Sequence, residues 1–278
     1  MPVDGFIPTF DDGGGSGGGS GAAALVRTGA KRRVVPFGFD YGRPGTSAEF
    51  DPAAFGTQAA IRAYSTALRS PWGLSGTNAT AALVTPQTAG GITLTTGGTS
   101  GDQMILTPLT INSVRMSALG WASWSPASSL LFRMLLTTGA VISDMRLLAG
   151  MTLIPTAEDH DTGATITDDD YVMFAYDTTH ASTSTAWHMS AGNNGTDENS
   201  PVSSFKSVST VRASTQYLME IAANGDLVPV FYLNGQEVGQ LSALKSGTVA
   251  LLPFFGMQTL GAAAKAVTLE DGDVSITI

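Results

Sequence analysis

The sequence predicts an all-β protein: a two-sheet antiparallel jelly-roll sandwich with an extended N-terminal arm and one short helix. Three observations carry the prediction. Beyond residue 76, short runs of alternating apolar and polar residues follow one another, each bounded by Gly, Asn, Asp, Ser or Pro, which is the pattern of half-buried strands. Two Asn-Gly pairs, Asn224-Gly225 and Asn234-Gly235, separate such runs and supply the positive-φ positions of a type I′ hairpin turn. No convincing helical period interrupts residues 76–278, and no internal repeat is visible, which argues for two packed sheets over propellers, β-helices or solenoids.

Residues 1–46 read as an extended, Gly-rich anchoring arm. Phe6, Ile7, Phe10, Val34, Val35, Phe37, Phe39 and Tyr41 are scattered among Gly, Pro and charges, too little apolar surface for a core of their own. The tract GGGSGGGSG at 13–21 has the composition of an engineered linker. Yet only PVDGFIPTFDD precedes it, which is no folded unit, so it reads as a native tether whose backbone can run close against a neighbour. Phe6, Ile7 and Phe10 would anchor one end; Arg27, Lys31, Arg32 and Arg33 would anchor the other. The following RRVVPFGFDY alternates through Phe37, Phe39 and Tyr41 and could add as a strand to a partner's sheet edge.

Residues 47–75 supply a helix and a connector. Asp51 is a good N-cap, Pro52 suits the first helical position, Ala54, Ile61, Tyr64 and Leu68 share one face, and Pro71 forbids continuation. The turn-rich PWGLSGTN leads into the body at 76–278. There GGITLTT, SLLFRMLLTT, YVMFAYDTT and STAWHMSA read as strands. QYLMEIAANGDLVPVFYLNGQEVGQL reads as three consecutive antiparallel strands. Pro229 has no N–H, so the middle strand must carry an edge or unpaired position there. A turn at Asp271-Gly272 precedes the last run, VSITI.

Composition narrows function. Hydrophobic residues make up 43% of the chain and charged residues only 13%, a profile that suits an assembled or extracellular β protein better than a cytosolic enzyme. With no cysteine, disulfides, thiolate metal sites and cysteine nucleophiles are excluded. The net charge is −9, and it is uneven: residues 1–70 hold seven Lys/Arg and six Asp/Glu, the rest seven and seventeen. An acidic body disfavours nucleic acid and anionic membrane, so neither is expected as a partner. The cluster Arg27, Lys31, Arg32, Arg33 and Arg43 either meets an acidic protein neighbour or is a solvated charge run. No apolar run is long enough to span a membrane, and the start lacks the order of a signal peptide; a soluble chain outside the classical secretory route is expected.

The candidate sites are weak one by one. Glu158-Asp159-His160-Asp161 lacks the alternating spacing by which two carboxylates straddle a glycosidic bond. Asp159, Asp161, Asp168, Asp169 and Asp170 offer hard oxygens for calcium but no EF-hand spacing, so a solvated loop is the expectation. His160, His180 and His188 have no ligand spacing. Gly14 to Gly18 spell G-x-S-x-G, but no strand precedes them, and TTGGTSGDQ has no Lys to make a phosphate loop. Trp72, Trp121, Trp124 and Trp187 could stack on sugars; Trp187, on an alternating run, is expected in the core, and at most one of Trp121 and Trp124 could face a ligand. No cofactor, metal or catalytic residue is expected.

In order and content, LLFRMLL, SDMRLLAGMTLIPT, DDDYVMFAYDTT, STAWHMSAGN, STQYLMEIAANGDLVPVFYLNGQEVG and LLPFFGMQTLGAAAKAVTLEDGDVSI resemble the concanavalin A-like, or laminin G-like, jelly roll of tailed-bacteriophage structural proteins. The resemblance covers 76–278 and implies a noncatalytic virion subunit on the outer surface of the particle. Arm, helix and jelly roll together are similar to a capsid decoration, cement or head-fibre protein, docked on the major capsid protein or other virion subunits and assembled as a homotrimer. The alternative is a receptor- or glycan-binding module of a tail fibre or tail tip, with a host glycan as partner.

Overall fold

The computed structural model describes residues 32–36, 72–87, 91–108, 110–111, 114–115, 131–152, 170–179, 185–193, 196–197, 207–223, 228–241 and 251–277. All fall in the compact unit Lys31–Ile278, and apart from one 3-10 turn at Ala81–Leu83 their regular elements are strands. In chain order these are β1 Arg32–Pro36, β2 Trp72–Ser75, β3 Val84–Pro86, β4 Ile92–Thr95, β5 Gln103–Pro108, β6 Thr110–Ile111, β7 Val114–Arg115, β8 Leu131–Thr138 and β9 Met145–Thr152. There follow β10 Asp170–Asp177, β11 Ala186–Asn193, β12 Thr196–Asp197, β13 Ser207–Thr210, β14 Gln216–Ala223, β15 Pro229–Leu233, β16 Gln236–Gln240, β17 Leu252–Thr259 and β18 Ala266–Thr277.

Sixteen of these strands form two eight-stranded antiparallel sheets, and β6 and β7 pair with each other as a separate two-stranded ribbon. Sheet A has the order β16-β15-β14-β8-β18-β4-β3, with β1 added beside β18; sheet B has the order β12-β11-β10-β9-β17-β5-β2, with β13 beside β11. The sandwich expected from the sequence is therefore observed. Its hydrophobic alternation is the cause: β8 and β15 bury every second side chain and leave the others partly open.

The shared core lies between the sheets. Phe132, Met134, Leu136, Met219, Phe231 and Leu269 come from sheet A; Leu147, Phe174, Trp187, Phe255 and Met257 come from sheet B. Rings lock across the layer. Phe174 and Phe231 meet edge to face with centroids 5.1 Å apart, and Trp187 meets Tyr217 at 5.7 Å. Burying each such side chain contributes about 1.5–3 kcal/mol. Trp187 is fully buried, as its alternating run predicts.

Several local expectations meet the structure directly. Asn234 and Gly235 take φ of 53° and 76° and turn β15 into β16, as the type I′ reading requires. Asn234 Oδ1 also accepts from the Leu218 N–H at 2.9 Å, tying the turn to β14. Pro229 is the first residue of β15, where a missing N–H is tolerated. The expected turn at Asp271-Gly272 is corrected: β18 runs unbroken from Ala266 to Thr277. A register shift against β8 between Leu269 and Asp271 absorbs the extra residue as a bulge. Pairing of Asp271 and Gly272 with β8, and of the residues on either side of them with β4 and β1, holds the strand extended through the dipeptide. Asn224-Gly225 and the helix expected after Asp51 lie outside the described residues.

Candidate functional site

The two outer faces of the sandwich differ in kind. On sheet B, β9 and β10 are buried along nearly their whole length, so both of their faces are shielded. Ile105, Leu148, Tyr171, Met173, Ala175 and Phe254 form a second apolar cluster there. The sheet is smooth enough for rings to lie flat: a Cβ on Gly256 would stand 2.6 Å from Phe254 Cζ.

One polar row crosses this buried face. Register places Asp177 opposite Arg146, and Arg146 opposite Gln258. The Arg146 Nε–H donates to Asp177 Oδ2 at 2.7 Å, its second guanidinium nitrogen lies 2.6 Å from the same oxygen, and Nη1 donates to Gln258 Oε1 at 2.7 Å. The Thr179 N–H and hydroxyl both donate to Asp177 Oδ1, at 2.8 and 2.6 Å. Burial pushes the Asp177 carboxyl up, but the Arg146 charge and the Thr179 and Arg146 hydrogen bonds outweigh it and hold the group below the usual carboxylate range. His188 and Ser190 sit on β11 beside Ala175 and Met173, also fully buried, and Ser190 Oγ has no hydrogen-bond partner. This arrangement fixes β9, β10 and β17 to one another. It presents no open surface to a ligand.

The outer face of sheet A is open. Register aligns Glu237 of β16, Tyr232 of β15, Glu220 of β14 and Arg133 of β8 in a single row across four strands. Cross-strand partners of this kind lie roughly 5 Å apart at Cβ. Glu237 is exposed, Tyr232 is half-buried, and the Arg133 and Glu220 side chains are 46% and 18% exposed, with Nε 3.9 Å from Oε1. Burial raises the Tyr232 phenol, and the Glu237 and Glu220 charges raise it further. Half-open Val230, Leu218, Leu131 and Leu135 flank the row along the strands.

Beyond them lies a second row, Gln216, Thr137, Thr268, Thr93 and Thr85, crossing β14, β8, β18, β4 and β3. Thr93 and Thr268 hydroxyls are 2.7 Å apart, while Glu270 Oε1 accepts from Thr137 and Oε2 from Gln216, each at 2.6 Å. An aromatic ring, half-open aliphatic pads and fixed hydroxyl and carboxylate oxygens on one rigid sheet can pack the apolar face of a polyhydroxylated ligand and accept its hydrogen bonds.

Few of the residues singled out from sequence belong to either face. Arg32 and Arg33 lie in β1, paired with Thr277 and Ile276 of the same chain's β18. Phe6, Ile7, Phe10, Arg27, Lys31, Phe37, Phe39 and Tyr41 lie outside the described residues, as do Glu158, Asp159, His160, Asp161, Asp168, Asp169, His180, Trp121 and Trp124. Asp170 opens β10 and Trp72 opens β2. Among the described residues no group of three or more His, Cys, Asp or Glu side chains could hold a metal ion. The sequence reading missed Arg146, a lone polar residue in an apolar run, and Asp177 and Gln258, which stand where apolar runs give way to polar residues. It also missed Tyr232 and Glu220, whose outward alternation was the available signal.

No family model and no curated protein matches the sequence. Solved structures do match. A protein of unknown function from Shewanella oneidensis MR-1 superposes with a TM-score of 0.52 at 10% identity, over 95% of this chain and 97% of that one. The potassium-bound carbohydrate recognition domain of Emp46p gives 0.52 at 11% identity, over 84% and 98%. These likenesses define the class, a concanavalin-like jelly roll. Alginate lyase A1-II′, of polysaccharide lyase family 7, gives 0.44 at 12% identity, over 70% and 83%. The expectation of a noncatalytic chain is corrected: a fold of this kind does not decide between enzyme and binding module, so it gives no ground for excluding catalysis.

Proposed function

We propose that this chain is a carbohydrate-binding jelly-roll module whose ligand lies across the open face of sheet A. The observation that carries the reading is the in-register row of Glu237, Tyr232, Glu220 and Arg133, bordered by aliphatic pads and a row of fixed hydroxyls. A sugar ring has an apolar face to lay on Tyr232 and equatorial hydroxyls to donate to the carboxylates. The concanavalin-like fold, shared with a carbohydrate recognition domain, supports it by analogy. A glycan array with the full chain tests it. Binding is expected, and Tyr232→Ala should weaken it roughly tenfold or more, the loss of one well-packed aromatic anchor. An array with no binding, or binding indifferent to Tyr232→Ala and Glu220→Gln, would overturn the reading.

A second reading places the module on a bacteriophage particle, held by its N-terminal arm to the shell. What supports it is the composition of residues 1–30, Gly-rich between Phe6, Ile7 and Phe10 at one end and Arg27 at the other, since β1 itself is taken up by the chain's own β18. Removing residues 1–30 leaves β1 and the sandwich intact and should abolish incorporation into particles. Unchanged incorporation would exclude anchoring by that segment.

A further inference from the structure

We propose that Asn234 is a spontaneous deamidation site guarded by the β15–β16 turn, so that its conversion records opening of the sheet edge that β16 forms. Asn234 and Gly235 are both exposed, and a Cβ built on Gly235 would meet nothing within 4 Å, so water reaches the dipeptide freely. With no side chain to crowd it, the Gly235 nitrogen is the least hindered of backbone nucleophiles. In the reaction this nitrogen gives its proton to water or hydroxide and attacks Asn234 Cγ. A C–N bond forms and closes an imide ring. The bond from Cγ to Nδ2 breaks, and that nitrogen takes a proton from solvent and leaves as ammonia. Water then opens the ring at Cγ, giving aspartate, or at the main-chain carbonyl carbon, giving isoaspartate with the chain continuing through Cγ.

The folded turn holds the two reacting atoms apart. A type I′ turn sets ψ at about +30° at its first central residue, which turns the Gly235 nitrogen toward the Asn234 nitrogen and away from the side chain. Two bonds to one residue of β14 fix that arrangement. The Asn234 N–H donates to the Leu218 carbonyl at 2.8 Å, and Asn234 Oδ1 accepts from the Leu218 N–H at 2.9 Å. Swinging the carboxamide over the Gly235 nitrogen breaks the second bond, and rotating the main chain to meet it undoes the turn. Ring closure therefore waits for local opening, and β16, at the end of the strand order of sheet A, has a neighbour on that path only in β15. The two products differ in what they leave behind. Aspartate keeps an acceptor for Leu218 and tolerates the φ of 53°. Isoaspartate adds a carbon to the backbone of a two-residue turn and breaks the register that sets Leu233 opposite Gln236 and Tyr232 opposite Glu237.

The test ages the full chain near pH 8, in buffer and in urea above its unfolding midpoint, and follows position 234 by fragmentation mass spectrometry that separates it from Asn224. Conversion in buffer is expected to run roughly tenfold or more slower than in urea, the margin set by the opening equilibrium. Hydrogen exchange at the Leu218 amide should rise in parallel with conversion as urea is raised below the midpoint. Equal rates in buffer and in urea overturn the guard. Conversion that climbs while Leu218 exchange stays fixed overturns opening as its route. No conversion in urea overturns Asn234 as a reactive site.

Discussion

Asp177 shows how a single residue in this sandwich ties stability to pH. Its carboxylate is buried, and it is tolerated there only because Arg146 and Thr179 occupy both oxygens. Because the folded group titrates below its usual range, its contribution is fully present above the unfolded value of about 4 and is lost as pH falls through the lower folded value. Asp177→Asn keeps the size of the side chain and an acceptor for Thr179, yet removes the carboxylate charge that lies 2.6 Å from the buried Arg146 guanidinium. The expected cost is roughly 3 kcal/mol, in the range for removing one partner of a buried ion pair. Urea unfolding at pH 7 measures it, and repeating the series down to pH 3 should show a shallower acid loss in the variant. A variant as stable as the parent at pH 7 would mean that the pair contributes nothing net.

At the scale of elements, period-two alternation located β8, β14 and β15 because each has one face on the core and one in water. The same signal showed that Tyr232 and Glu220 point away from the core. It could not show that they are neighbours of Arg133, since β14 pairs with β8 across a long stretch of chain and such pairing leaves no local trace. The ion pair of Arg146 with Asp177 spans 31 residues and the bond to Gln258 spans 112, so the buried polar row was equally illegible. Asp271-Gly272 failed in the other direction. A dipeptide that locally favours a turn was overruled by its pairing with β8, and the extra residue before it, Glu270, became a bulge that accepts from Thr137 and Gln216. β1 was anticipated as a strand for a partner's edge; its residues instead pair with the chain's own last strand.

Among the described residues the larger core is one to which both sheets contribute, and behaviour on unfolding should follow from that. Phe174 of sheet B and Phe231 of sheet A are both fully buried, and their rings meet nearly perpendicular at 87°. Neither sheet has another layer to bury its inner face, so separating them exposes both at once, and each should lose its fold with the other. Phe174→Ala removes the bridge from one side only. It should cost about 3–5 kcal/mol, the usual range for a fully buried phenylalanine, and lower the urea midpoint without splitting the transition. Far-ultraviolet dichroism follows the strands and near-ultraviolet dichroism follows the packed rings, including Trp187 against Tyr217. The two curves should coincide in the parent and in the variant. If the near-ultraviolet signal is lost at lower urea than the strand signal, the sheets do not depend on their shared interior. The rigid platform under Tyr232 and Glu220 would then have to be held by sheet A alone.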